Sequence, residues 1–296
     1  MVSPKSKLVG IMWYLDVSQG IITIFELKNG SRKTYHVQQV INSMSERFTA
    51  EMAVAFQASR HGFSVEEVGI APLVVGSWDL ETVKSLAKTV GAESSPSWWW
   101  GPRFPLYNGQ VSGRKVSFVG LPLGAPATIL VMEELIACGV RAFLGLGLAG
   151  SIQPEAPVGT CFIPTSCIRD EGTSPHYLAS DDGLRPAHRL VRALEKARVK
   201  KGVVAYTGPI WTTDAPYREM VTTIENYRLR DVLGVDMETS AMYALGTYRN
   251  VEVCNLLVVS DELWRDWRPA FGLPELREAL KRAEEVILEA ITTLRK

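Results

Sequence analysis

The chain has 296 residues, 46% hydrophobic and 22% charged, an ordinary globular composition with enough length for a sizeable core. Its 32 Lys and Arg balance 32 Asp and Glu, so no global basic field is present to hold nucleic acid or a membrane surface, although a small anion needs only a local patch. No apolar run is long enough to span a bilayer, and the first twenty residues hold one short apolar patch without a cleavage-type signal. Cys138, Cys161, Cys167 and Cys254 form no CxxC pair, and only four histidines are present. The reading is therefore no metal site, buried reduced thiols and a cytoplasmic protein.

In chain order, residues 21–37 read IITIFELKNGSRKTYHV, two alternating runs around Asn29-Gly30 that predict a β-hairpin. A helix follows over 48–60 and stops at Gly62, then a buried strand over 67–77. The next helix, over 79–90, begins with acidic residues, as a helix N-terminus prefers. Residues 94–105 read as a loop carrying Trp98, Trp99 and Trp100, whose rings suit core anchors, an oligomer contact or a pocket lid. From residue 115 strands and helices alternate: KVSFVGLPLG, a helix over 126–138, AFLGLGLAG, strands near 160–165, 203–207 and 251–259, and helices over 186–198, 237–249 and 274–295. The alternation predicts an α/β fold, a three-layer sandwich around a central twisted mixed sheet. The expected division is an N-terminal extension of hairpin and helix over 1–65 and an α/β domain over 66–296.

Four segments place small or polar residues at strand ends, where α/β folds bind ligands. They are Leu123-Gly124-Ala125-Pro126, Gly145 to Ser151, Val235 to Ser240, and Val259-Ser260-Asp261-Glu262. Glycines let a ligand approach the backbone, and Pro126 suits a helix first turn whose free N–H groups hold an anion. Spacing alone equally suits close helix–strand packing for the glycines, and capping for Glu238 and Asp261.

The order of GAPATILVMEELIACGVRAFLGLGLAGSI, IRDEGTSPHY, WTTDAPYRE, GVDMETSAMYALG and VVSDEL resembles the purine nucleoside and uridine phosphorylases over roughly residues 68–295. The resemblance implies cleavage of a nucleoside N-glycosidic bond by phosphate, with purine the favoured base. It also implies that Met237 packs on the sugar while Glu238 accepts hydrogen bonds from the two ribose hydroxyls, which suits a carboxylate facing vicinal donors. His176 then lies near the 5′ hydroxyl. Ser260, Asp261 and Gly150 face the base, with Asp261 donating a proton as the base leaves. Tyr217, with Pro216, holds the stacking position.

The chain departs from the family where phosphate binds. An arginine is expected soon after the first glycine, where the sequence reads Gly76-Ser77-Trp78-Asp79-Leu80, and another stands where this chain has Gly145. Arg103, Arg169 and Arg218 are the candidate replacements, with backbone N–H groups at Gly76, Gly147 and Leu148. The family's hydrolases lack these arginines too, and Asp79 or Glu81 is the candidate for activating water in a nucleosidase. A uridine-type phosphorylase and a non-catalytic nucleoside-binding protein are the remaining alternatives. The expected partners are nucleoside and inorganic phosphate as cosubstrate, with no cofactor. A homo-oligomer, dimer or hexamer, would bring Arg103 to a neighbouring subunit.

Overall fold

The computed structural model describes residues 12–16, 23–28, 31–36, 46–181 and 184–294. Two compact units divide the chain, Met1–Thr49 and Ala50–Lys296. In the first, β1 (Met12–Asp16), β2 (Thr23–Lys28) and β3 (Ser31–His36) pair antiparallel in that order. Lys28 pairs with Ser31, so Asn29-Gly30, itself outside the described residues, falls between two partnered positions. The short apolar patch before the hairpin supplies the third strand.

The expected domain boundary stands at 65/66, and the compact units divide at 49/50. Helix α1 (Ala50–His61), expected within the extension, buries Val54 and Ala58 and packs on α3 (Ala125–Ala137) in the larger unit.

That unit is a mixed α/β fold. Its strands are β4 (Leu73–Ser77), β5 (Glu93–Ser94), β6 (Leu106–Val111), β7 (Arg114–Gly120), β8 (Ala142–Ser151), β9 (Cys161–Asp170), β10 (Ala205–Thr213), β11 (Gly234–Asp236), β12 (Glu252–Glu262) and β13 (Arg268–Pro269). The helices besides α1 and α3 are α2 (Leu80–Thr89), α4 (His188–Lys200), α5 (Val221–Arg228), α6 (Thr239–Arg249) and α7 (Pro274–Thr293). Strand order is β13-β12-β9-β10-β11-β8-β4-β7-β6-β5, and β12 also pairs parallel with β8. The pairings β8-β12-β9-β10-β11-β8 therefore close into a ring, which alternation in the sequence did not predict. Gly234 permits the closure: a Cβ there would run into the Gly150 carbonyl oxygen and 2.9 Å from Phe162.

Side chains alternate between two cores along each strand, as strand geometry requires. Leu73 and Val75 of β4, with Leu144 and Leu146 of β8, pack with Val83, Leu86, Leu190, Leu194, Val286 and Ile287 of α2, α4 and α7. Val74 and Phe143 face the other way, onto Ile129, Met132 and Leu135 of α3 and Met242 and Leu245 of α6.

The tryptophan loop is pinned to the second core. Trp98 is 2% exposed and donates to the Phe104 carbonyl (2.9 Å), while Trp99 and Trp100 both donate to buried Glu134 Oε2 (2.7 and 2.6 Å). The four cysteines are unpaired, and burial pushes the Cys161 and Cys254 thiols up to about 12. Among the described residues no helix is long and apolar enough to cross a membrane, and no cluster of His, Cys, Asp and Glu is placed to hold a metal.

Candidate active site

Strand β11 is three residues long and delivers Asp236, Met237 and Glu238 to the start of α6. Asp236, not Glu238, caps that helix. Its Oδ2 accepts from the Thr239 N–H (3.0 Å) and hydroxyl, and its Oδ1 from Thr212 Oγ1 (2.6 Å). Glu238 is thereby free to turn across the site, where Oε1 accepts from the Gly124 N–H at 2.6 Å. Gly124 precedes α3 with φ 93°, a left-handed backbone that favours glycine. Met237 lies half-buried beside it.

A second layer holds this arrangement. Ser240 Oγ donates to Glu171 Oε1 (2.9 Å), and Glu171 Oε2 accepts from the N–H groups of Thr173 (2.6 Å) and Ser174 (2.9 Å). Asp214 Oδ2 takes the Gly172 N–H (2.8 Å). The turn after β9 is thus tied to α6 and to the end of β10. Burial raises Asp236 above its ordinary carboxylate value. Burial also raises Glu238, which the Asp236 charge pushes further, while the Gly124 and Met237 N–H groups pull it back.

Asp261 occupies a separate corner. The β12–β8 register slips between Val259 and Asp261, so Val259 opposes Ala149, Asp261 opposes Gly150, and Ser260 is the extra residue of a bulge. Ser260 Oγ donates to Asp261 Oδ1 (2.7 Å) and Trp267 Nε1 to Oδ2 (2.9 Å). Gly150 has no room for a side chain: a Cβ would stand 2.6 Å from Leu263, 3.3 Å from Val235 and 3.4 Å from Asp261 Oδ2. Since Gly150 also pairs with Val235 of β11, it joins the Asp261 corner to the strand that carries Glu238. Glu219, half-buried after the turn of Pro216–Arg218, is pushed up to about 7 by burial and by the Asp261 charge.

Of the residues expected to hold phosphate, Gly76 lies opposite Gly145 in the β4–β8 register, with Gly147 and Leu148 further along β8. Gly76 serves packing, since a Cβ there would lie 2.5 Å from Leu121 Cδ1. A Cβ on Gly147 would lie 2.8 Å from the Trp78 ring, and Leu148 is half-buried beyond it. Arg169 is engaged elsewhere, paired with Asp181 at 2.6 Å and donating to the carbonyls of Leu178 (2.8 Å) and Ala179 (3.2 Å). Arg103, His176, Pro216, Tyr217 and Arg218 are all exposed, Tyr217 completely. The candidate water-activating acids are committed as well. Asp79 caps α2 through Glu81 N–H, Thr82 N–H and Thr82 Oγ1, and exposed Glu81 pairs with Lys84 at 2.7 Å.

Glu171, Asp236, Asp214, Glu219, Trp267 and Trp78 were not singled out from the sequence. Glu171, Asp214, Glu219, Asp236 and Trp78 all stood inside segments singled out above, and two buried-strand ends closing on acidic residues were the available signal. Trp267 and Glu219 meet Asp261 only through folding, and nothing local marks Trp267.

The family pattern described as the phosphorylase superfamily matches residues 73–293. Guanosine phosphorylase of Halorubrum lacusprofundi is 25% identical over 198 residues, covering 64% of this chain and 81% of that protein. Uridine phosphorylase of Treponema pallidum is 28% identical over 203 residues, covering 64% and 78% respectively. A DeoD-type purine nucleoside phosphorylase of Alkaliphilus metalliredigens is 27% identical over 159 residues, covering 53% and 68%. The chain belongs to the phosphorylase superfamily.

Proposed function

With membership of that superfamily as premise, we propose that this chain is a nucleoside phosphorylase, cleaving the N-glycosidic bond with inorganic phosphate to release free base and ribose 1-phosphate. The observation that carries the reading is Glu238: a buried carboxyl, excused from capping its own helix by Asp236, facing one backbone N–H at the mouth of α3. Two vicinal ribose hydroxyls are the matching donors for its oxygens. As the glycosidic bond lengthens, positive charge grows on the sugar, and the Asp236–Glu238 pair lies where it stabilises that charge. Phosphate then attacks C1′.

Purine is the favoured base. Burial first, and the Asp261 charge second, push Glu219 up to about 7, so a proton is held beside Asp261 near neutral pH, and that proton leaves with the base. Met237 packs on the sugar, while Tyr217 closes over the base from its exposed turn and His176 meets the 5′ hydroxyl. Phosphate is held by backbone N–H groups near Gly76, Gly147 and Leu148, by Arg218, and by Arg103 of a neighbouring subunit in a homo-oligomer. The reaction uses no cofactor. The two helical layers over the ring of strands make the three-layer sandwich that presents these groups. Commitment of Asp79 and Glu81 to helix capping and to Lys84 favours phosphorolysis over hydrolysis.

Base release from a nucleoside panel, with and without phosphate and with the sugar product identified, tests the proposal. Phosphate-dependent ribose 1-phosphate is the expected product; free ribose at an unchanged rate without phosphate would replace this reading with a nucleosidase.

A further inference from the structure

Two glycines of β8, Gly145 and Gly147, point the same way from the strand and leave a strip of bare backbone on that face. The strip is covered by the indole of Trp78. A Cβ on Gly147 would lie 2.8 Å from Trp78 Cζ3 and 2.9 Å from Cε3, and one on Gly145 would lie 3.5 Å from Cη2, so the six-membered ring runs along both residues. Trp78 Nε1 donates to Thr128 Oγ1 at 2.8 Å, and that hydroxyl donates onward to the Pro122 carbonyl at 2.7 Å. Thr128 is fully buried in the first turn of α3, the helix whose cap residue Gly124 meets Glu238. The ring is therefore fastened to the same helix start that positions the sugar-facing carboxylate.

Asn255 stands opposite Gly145 on β12, its side chain on the same face as the ring, and is also fully buried. Its Nδ2 donates to Thr239 Oγ1 (2.8 Å), while its Oδ1, which a Cβ on Gly145 would strike, has no partner among the described residues. An anion arriving here meets an acceptor oxygen and an apolar ring, and Thr128 offers it no free hydroxyl hydrogen. Trp78 itself is only partly buried, on the short link between β4 and α2.

We propose that Trp78 determines which attacking group the site admits: held by Thr128, its indole covers the Gly145–Gly147 strip against a tetrahedral anion, and phosphate enters only when that hydrogen bond opens. The proposal rests on the phosphorolytic reading above. Opening exposes the strip and takes the indole donor away from Thr128 Oγ1. Water, being smaller and able to donate to Asn255 Oδ1, is not excluded by the closed ring.

Calorimetric titration of inorganic phosphate into the nucleoside-free protein tests this directly, alongside KM for phosphate and KM for nucleoside. Trp78→Ala is expected to bind phosphate at least about tenfold more tightly than wild type. Trp78→Phe, which keeps the ring but loses the N–H, is expected to fall between them. The phosphate KM should follow the same order, with the nucleoside KM moving less, and the ratio of ribose 1-phosphate to ribose should rise. Unchanged or weaker phosphate binding in folded Trp78→Phe and Trp78→Ala would overturn the proposal even if ribose 1-phosphate is made. Tighter phosphate binding in the variants, with free ribose as the sole product throughout, would uphold the gate and refute the phosphorylase.

Discussion

At the Glu238 end of the site, Asp236, Thr212, Thr239, Ser240 and Glu171 satisfy one another through short hydrogen bonds between buried groups. Along Gly145 and Gly147 an indole lies on bare backbone, and a buried amide oxygen has no partner among the described residues. The first region is organised before any ligand arrives, so a sugar meets fixed acceptors and little reorganisation is needed. The second has neither of the arginines expected of the family, and on the proposal above it rearranges before it holds a doubly charged anion. The proposed sugar and anion sites are therefore separable, because they sit on different strands and use different chemistry.

The contrast can be broken most sharply at Glu238. Two hydrogen bonds to a charged group are worth about 1.5–3 kcal/mol each, so Glu238→Ala should lower kcat/KM by roughly two to four orders of magnitude. Activity within threefold of wild type would remove Glu238 from the sugar site. Asp261→Asn should cost on the order of a hundredfold with purine nucleosides, the usual range for a positioned acid, and much less with uridine. Equal losses for both substrates would show that Asp261 acts through the fold and not on the base.

The pH dependence sharpens the comparison further. Asp236 and Glu238 have folded-state values raised above their unfolded ones, so the folded protein binds more protons at intermediate pH. Their contribution to stability is complete below the ordinary carboxylate range and is lost as pH rises through the raised values. Thermal melts from about pH 5 to about pH 9 should show the wild type losing stability, by at most about 1.4 kcal/mol per pH unit for each titrating group. Glu238→Gln should flatten that loss. Sugar binding needs the carboxylate, so kcat/KM should rise over the same interval; parallel rather than opposed trends would contradict the assignment. The smallest expected effect is at the strip. Gly145→Ala pushes a methyl against Asn255 and the Trp78 ring and should cost about 1–3 kcal/mol in a denaturant melt. A neutral result would mean that the strip is roomier than the packing around it implies.

How much of this was legible beforehand varies with the range of the interaction. The helices at 80–89, 125–137, 188–200 and 274–293 fall where periodicity and stop signals placed them, because those signals act within a few residues. Strand β6 was missed, since its pairing partner β7 supplies what its own sequence lacks. Glu238 and Asp261 stood in segments singled out for their position at strand ends, and both are buried at the site. Arg169 was a reasonable phosphate ligand by residue type, but the turn at 178–181 claims it with two carbonyls and Asp181.

The sequence by itself determined the alternating α/β order, the family resemblance and the loss of the expected arginines, all of which are properties of residues and their immediate neighbours. Only the tertiary structure decided what stands in the vacated space. Trp78 and Gly147 are far apart in the chain, and so are Glu238 and Gly124, Asp261 and Gly150, Asn255 and Gly145. The meetings at Gly145, Gly147 and Gly150 depend on β8 being shared by β4, β11 and β12, so that one strand's glycines receive side chains from its neighbours. A pattern read along the chain reports which residues lack a side chain; strand register determines whose side chain fills the gap.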